Sequence, residues 1–307
     1  MSKNMDWTQK LKFHHLQTLV HLADQCNLTR VAELMSITQP ALSKWLTGLE
    51  QEMGMLLFER HSKGIRPTPG GQLVIKHARR ILNELERSRA DISLFKSGMQ
   101  GSLMIGSSPV ATDIVAQSIL NLMQDHPKIH LHIVESIMTP LLEQLLLGQI
   151  DVVIGRIGSS ALALPLNYKV LYSEPIRFVT RREHPLALQE SVSWEDLEQW
   201  RWVVWPIGTP IRTSIDNTLI ANNLLMPPDH IESGSMNLTL HMLQGSDMIG
   251  ILSQRLAQSH EAEKRLSIMN LPNTTQQGSV GVFWRTDEQP SDVLQAFLDH
   301  LLNLSTP

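Results

Sequence analysis

The 307-residue chain has a single cysteine, Cys26, so no disulfide can close within it and the sequence suits a reducing compartment. Cys26 itself reads as a small core residue beside a helix rather than a reactive thiol. No apolar run reaches the roughly 18 residues of a membrane span, and the first 25 residues hold no long apolar stretch. We therefore expect no transmembrane helix, no signal peptide and a cytoplasmic location. Missing too are a glycine-rich phosphate loop, a G-x-S-x-G elbow, an H-E-x-x-H pair and a C-x-x-C pair, which argues against an enzyme. The acidic pairs Glu195-Asp196 and Glu261-Glu263 fit solvated helix faces better than acid and base roles. His14 and His15 are adjacent and have no partner at ligand spacing, so we expect surface residues there and no metal.

Charge is scarce but unevenly placed. Residues 1–100 carry 14 Lys or Arg against 9 Asp or Glu, while residues 101–307 carry 12 against 21, within a net charge of −4. Only the first third gains by releasing counterions from nucleic acid. There, Asn27 to Glu50 reads as two short amphipathic helices joined at Ser36-Ile37-Thr38. Asn27 or Thr29 suits the first N-cap, and Val31, Leu34 and Met35 recur at helical spacing. Thr38 suits the second cap, with Pro40 in the first turn, where a missing N–H costs little. The second helix puts Leu42, Leu46, Leu49 and Met53 on one face and Gln39, Ser43, Lys44 and Thr47 on the other. Those polar types can read base edges in a major groove. Arg60, Lys63 and Arg66 around Gly64 then read as a basic hairpin that follows phosphates. A plain helical hairpin with a solvated face is the alternative that the basic hairpin weighs against.

The segment Phe13 to Arg60, with Pro67-Thr68-Pro69-Gly70-Gly71 after it, resembles the winged helix-turn-helix of LysR-type transcriptional regulators. The resemblance rests on Thr29-Arg30-x-Ala32-Glu33, Gln39-Pro40-Ala41-x-Ser43, Leu49-Glu50 and Leu57-Phe58-x-Arg60, in that order. Lys44 stands where the family usually has Arg, and Trp45 is bulkier than usual, so base preference should differ. The resemblance implies a DNA-binding domain over 8–70, with Thr29, Arg30, Gln39, Pro40, Ser43, Lys44, Thr47, Arg60, Lys63 and Arg66 facing DNA.

From Gly71 a long helix to residue 98 carries Val74, Ala78, Ile81, Leu85, Ser88, Ile92 and Phe95 at spacings of four and three, the seam of a coiled coil. LysR-type regulators dimerise through a linker helix here, which implies a homodimer or homotetramer on a dyad-symmetric operator. A single helix packed on its own domain is the alternative.

After Ser102 the pattern turns to βα alternation, which argues for parallel sheet with ligands at the carboxyl ends of strands. Strands are expected at 103–106, 129–134 and 151–155, a helix opens at Thr139-Pro140, and a second set of strands and helices follows from Leu171. By resemblance, 101–307 is a two-lobed α/β effector domain like periplasmic binding proteins, with lobe I over about 101–171 and 276–307 and lobe II over about 172–275. The expected fold is thus α/β overall: a largely helical winged helix-turn-helix, a linker helix and this two-lobed domain.

An effector between the lobes would meet residues at strand ends. Candidates are Ser107, Ser108 and Pro109 after the first strand, Ser136, Met138 and Thr139 after the second, and Arg156 after the third. Gly208, Thr209, Ser235 and Met236 come from the other lobe. Hydroxyls and helix N-termini suit an anion, and Arg156 suits a carboxylate. Met138 stands where many relatives place a small hydroxyl residue, which points to a more apolar ligand. Trp202 and Trp205 lie three apart on a strand and so face opposite sides, with at least one in the core. The run Trp205 to Arg212 resembles the branch of the family that answers to sugar-derived or aromatic acids. The expected function is ligand-switched transcriptional regulation with no enzymatic cofactor, and RNA polymerase as a candidate contact. A transport solute-binding protein, the remaining alternative, leaves the helix-turn-helix without a purpose.

Overall fold

The computed structural model describes residues 7–61, 64–272, 277–286 and 289–305. The chain forms two compact units, Met1–Ser93 and Leu94–Pro307. In the first, a 3-10 turn at Trp7–Lys10 leads to α1 (Phe13–Gln25), α2 (Leu28–Leu34) and α3 (Gln39–Met53). Strands β1 (Phe58–His61) and β2 (Gly64–Pro67) pair antiparallel as the expected hairpin, and α4 (Pro69–Lys96) follows.

The caps decide where the helices start. Asn27 Oδ1 accepts from Arg30 N at 3.1 Å and Thr38 Oγ1 accepts from Ala41 N at 3.4 Å, each filling one of the orphan donors of a helix N-terminus. Between the two choices for the first cap, the chain uses Asn27; Thr29 is the second residue of the helix. Leu19, Leu22, Val31, Leu42, Leu46 and Leu57 form the core. Glu50 fastens α3 to the hairpin, because its Oε1 accepts from Leu57 N at 2.8 Å and Phe58 N at 3.1 Å. The Leu49-Glu50 pair thus has a mechanical reason: Leu49 enters the core and Glu50 anchors the strand.

Along α4 the apolar stripe divides. Val74 packs against the core of the first unit and Ala78 is 1% exposed, so the first turns of the stripe are used by the helix's own domain. Beyond them Ile81, Leu85, Ile92 and Phe95 are exposed, Phe95 at 81%.

In the second unit, β3 (Ser102–Ser107), α5 (Thr112–Asp125), β4 (His130–Glu135), α6 (Met138–Leu146), β5 (Val152–Arg156) and the short α7 (Ser159–Leu162) open the fold. Then come β6 (Leu166–Arg181), β7 (Trp202–Val204), α8 (Pro210–Ala221), β8 (Ile231–Glu232), α9 (Met236–Gln244) and β9 (Ile249–Ser253). The chain closes with α10 (Gln254–Ala262), β10 (Leu266–Ile268), β11 (Gln277–Arg285) and α11 (Asp292–Ser305). Among the described residues these strands make one nine-stranded sheet in the order β4-β3-β5-β11-β6-β9-β7-β8, with β10 also on β6. Parallel pairs β3 with β4 and β5, and β7 with β8 and β9, carry the βα units of each lobe. Each lobe has its own core, one around Ile105, Ile154 and Phe297, the other around Phe178, Trp202 and Ile215.

The change of lobe, expected near 171, falls within a strand. β6 runs unbroken for 16 residues through both lobes, paired with β11 up to Pro175 and with β9 from Ile176. Pro175 reads as a strand breaker, yet it sits where β6 changes neighbours, so its missing N–H leaves little of the ladder unmade. A second difference is at α6, which starts at Met138, one residue before the expected Thr139, with Ile137 as its N-cap. The third strand extends through Arg156 instead of stopping before it.

Candidate functional site

On the first unit, Thr29 and Arg30 are exposed in the first turn of α2, and Pro40, Lys44 and Thr47 are exposed along α3, with Gln39 and Ser43 half-buried. Arg60 and Arg66 are exposed on the hairpin, and Arg60 Nη2 donates to Ser43 Oγ at 2.6 Å, tying the wing to the polar face of α3. Lys63 lies outside the described residues. Sequence reasoning did not anticipate the setting of Trp45: it is half-buried and packs on His15, with ring centroids 4.9 Å apart. His15 is therefore a packing residue, its Nδ1 also accepting from Lys12 N at 3.1 Å.

In the second unit a cavity of about 50 Å³ lies between the lobes. Its wall gathers six of the expected residues: Ser108, Pro109, Met138 and Arg156 from lobe I, and Thr209 and Met236 from lobe II. Backbone geometry explains the first group. Ser108 N donates to Ile154 O at 2.9 Å, holding the end of β3 beside β5. A Cβ on Gly155 would stand 2.3 Å from Met138 Sδ and 2.4 Å from Ser108 Oγ, so glycine is what lets these two meet next to Arg156.

Arg156 is 5% exposed. Its Nη1 donates to Glu174 O at 2.7 Å, whereas Nη2 has no hydrogen-bond partner among the described residues. Burial pulls its pKa down, with Glu174 and Tyr172 acting the other way. Gly278 makes room for the guanidinium, since a Cβ there would fall 1.9 Å from Nη1. Ser108 Oγ is likewise buried without a partner among the described residues. Behind them Glu174, 1% exposed, accepts from Arg255 N at 2.8 Å, and the Arg255 guanidinium lies 3.9 Å over the Tyr172 ring. Burial raises the Glu174 pKa against the pull of Arg255. The Tyr172 hydroxyl donates to Val110 O at 3.1 Å, and burial with Glu174 pushes its pKa up to about 12.

The remaining candidates fall outside this wall. Ser107 is buried and donates to Ser108 O at 3.3 Å; Ser136 precedes α6 without reaching the cavity; Thr139 is exposed, because the one-residue shift of the helix start turned Met138 inward in its place. Ser235 caps α9 through Leu238 N, and Gly208 lines an open cleft of about 510 Å³ that shares Arg156 and Pro210 with the cavity. The hydroxyls of Ser107 and Ser235 serve their own turns. A 3-10 turn at Pro109–Ala111 intervenes between β3 and α5, which starts at Thr112.

Sequence reasoning missed Val110, Ile137, Pro210, Ile211 and Ser253, and took Trp205 only as a core or platform choice. Trp202 is the buried member of the tryptophan pair, and Trp205 turns to the cavity while its Nε1 donates to Ile251 O at 3.1 Å. Trp205 lies just past the end of β7. Ser253 ends β9 one residue past the expected strand, the position at which a strand end meets a cleft. Among the described residues no group of three or more His, Cys, Asp or Glu could hold a metal, and no helix is long and apolar enough to cross a membrane.

Comparison with known proteins agrees with this two-part layout. Residues 13–72 match the family described as bacterial regulatory helix-turn-helix protein, lysR family, and residues 96–305 match the LysR substrate binding domain. The HTH-type transcriptional regulator GbpR of Azospirillum brasilense is 32% identical over 280 residues, covering 91% of this chain and 82% of its own. Among solved structures, CbnR, a LysR family transcriptional regulator, superposes with a TM-score of 0.64 at 16% identity, over 97% of this chain and all 100% of its own. CbnR has also been solved in full length with its target DNA, a structure that matches with a TM-score of 0.53 at 17% identity, over 96% of this chain and 100% of that one. The Synechocystis CcmR regulatory domain in complex with 2-PG matches with a TM-score of 0.60 at 21% identity, over 67% of this chain and 98% of its own. The chain belongs to the LysR family: it is a DNA-binding transcriptional regulator with a helix-turn-helix domain and a small-molecule effector domain, not an enzyme.

Proposed function

We propose that this regulator binds a dyad-symmetric operator as a homodimer or homotetramer and changes its grip when a small molecule enters the interlobe cavity. The observation that carries the switch is the pair of buried, unpartnered polar groups on that cavity wall, Ser108 Oγ and Arg156 Nη2. Left in an apolar wall such groups cost free energy, and a ligand that supplies their partners favours the lobe arrangement that holds it. Pairing of chains rests on the exposed stripe Ile81, Leu85, Ile92 and Phe95; Val74 and Ala78 serve the helix's own domain. DNA contact rests on Thr29, Arg30, Gln39, Pro40, Lys44 and Thr47, with Arg60 and Arg66 on the backbone and Ser43 held by Arg60. Such a protein works in the cytoplasm, where RNA polymerase is a candidate contact.

The deciding experiment is a DNase footprint of the full-length protein on DNA upstream of its own gene, with nonspecific competitor. A protected dyad-symmetric site that changes length when a ligand is added is the expected result; protection without symmetry would remove the paired-helix reading. Lys44→Ala should cost about 1 to 3 kcal/mol of discrimination between operator and mutated operator. Ile92→Glu with Phe95→Glu should dissociate the dimer in sedimentation, and a double variant that stays dimeric would move the interface elsewhere.

A further inference from the structure

The cavity wall also restricts the chemistry of what it holds. Two of its hydrogen-bonding groups, the Arg156 Nη2 donor and the Ser108 hydroxyl, are buried without a partner among the described residues. A carboxylate accepts from either group, whereas a cation or a neutral amine leaves the guanidinium facing another donor. There is provision for one negative charge. Arg255 is committed to Glu174 and Tyr172, and Arg212 to Asp216 and Glu232, and neither lines the cavity. A second carboxylate would be desolvated without a cation.

The rest of the wall is apolar, with Ile137, Met138, Trp205, Ile211 and Met236 facing the space. Thr209 offers little to a polyol, because its hydroxyl already donates to Pro206 O at 2.7 Å and accepts from Arg212 N at 3.4 Å. Size sets a further limit. On this side of Arg156 the cavity is about 50 Å³, against roughly 150 Å³ for an apolar cavity that takes up benzene, while Arg156 and Pro210 also line the open cleft of about 510 Å³.

Resting on the reading of this cavity as the effector site, we infer that the effector is a short-chain aliphatic monocarboxylate, with an acyl chain of about three to five carbons. Its carboxylate bonds to Arg156 and Ser108, and its chain lies against Met138, Trp205 and Met236. This replaces the sugar-derived or aromatic acids expected from sequence with a smaller, less hydroxylated class.

Isothermal titration of the full-length protein with sodium butyrate tests this, beside butyramide, succinate, gluconate and benzoate. Butyrate should bind, and each of the others should bind at least roughly tenfold more weakly. Ser108→Ala should weaken butyrate about fivefold. Met138→Ala, which enlarges the cavity, should raise benzoate affinity relative to butyrate; these two substitutions leave the arginine in place, so a folding failure at Arg156 does not block the test. Butyramide binding as well as butyrate, or no heat from any of the five, overturns the inference. Tighter binding of succinate, gluconate or benzoate that is still weakened by Ser108→Ala overturns the ligand class while keeping the cavity as the effector site. Acid binding that neither substitution alters removes both.

Discussion

Two arginines of the effector domain are equally buried and yet have opposite surroundings. Arg212, 6% exposed on α8, sends Nε to Asp216 Oδ1 at 2.9 Å and Nη1 to Glu232 Oε1 at 2.7 Å and Trp205 O at 3.2 Å. Burial opposes its charge, but the two carboxylates outweigh that and raise its pKa. Arg156 has one carbonyl, no carboxylate bonded to its guanidinium, an open Nη2, and a pKa lowered by burial. A charge that is buried and satisfied belongs to the architecture; one that is buried and left short is held ready for something else. Burial alone does not separate the two, and the count of partners does.

That contrast can be broken experimentally. The largest expected effect is on ligand binding: Arg156→Met should weaken butyrate by roughly 10- to 100-fold, the worth of a hydrogen bond to a charged group. Its thermal midpoint should hold or rise, because an underpartnered charge has left the interior; calorimetry and a melting curve on one preparation check both. Arg212→Met should do the reverse, lowering the stability of the effector domain by about 2 kcal/mol in denaturant titration. Its butyrate affinity should stay within about twofold, and a larger loss would mean that Arg212 serves the ligand as well.

The smallest effect is in the acid limb. Arg212 holds the Glu232 carboxyl below its ordinary value of 4.5. A depressed carboxylate contributes stability that is present above 4.5 and is lost as pH falls through its folded value. Glu232→Gln should therefore flatten the fall of the melting temperature below pH 4.5 relative to wild type, while Arg156→Met leaves the contribution of Glu232 in place. Equal acid limbs in wild type and Glu232→Gln would show that Arg212 draws its support from Asp216 alone.

The helix-turn-helix was legible because helical periodicity, cap residues and a basic hairpin all point the same way over Asn27 to Arg66. The βα units were legible for the same reason. β6 was not, since no local pattern shows that one strand passes from one lobe to the other, and only the changeover between β11 and β9 explains the place of Pro175 in it. α10 went unread because Gln254–Ala262 has just Leu256 and two alanines to mark a buried face. For the cavity, strand ends identified Ser108, Pro109 and Arg156, and the helix N-termini Thr209 and Met236. Thr139 and Ser136 failed because a helix starting one residue earlier changes which side chain points inward. Partner counts, which separate Arg156 from Arg212, depend on neighbours such as Glu232 and Glu174 that are distant in sequence, and no local pattern carries them.

The uninterrupted course of β6 also governs how the effector domain can be taken apart. A protease that nicks loops finds none between Leu166 and Arg181, so the lobes should survive digestion as a joined piece. A fragment ending near 171 would keep only the first part of β6, and a fragment starting there would lose the pairs that residues 166–170 make with β11. Either would present raw strand edge to other chains and tend to aggregate. Trimming this protein for crystallisation or biosensor use is best done outside the lobes, with the shared strand left whole.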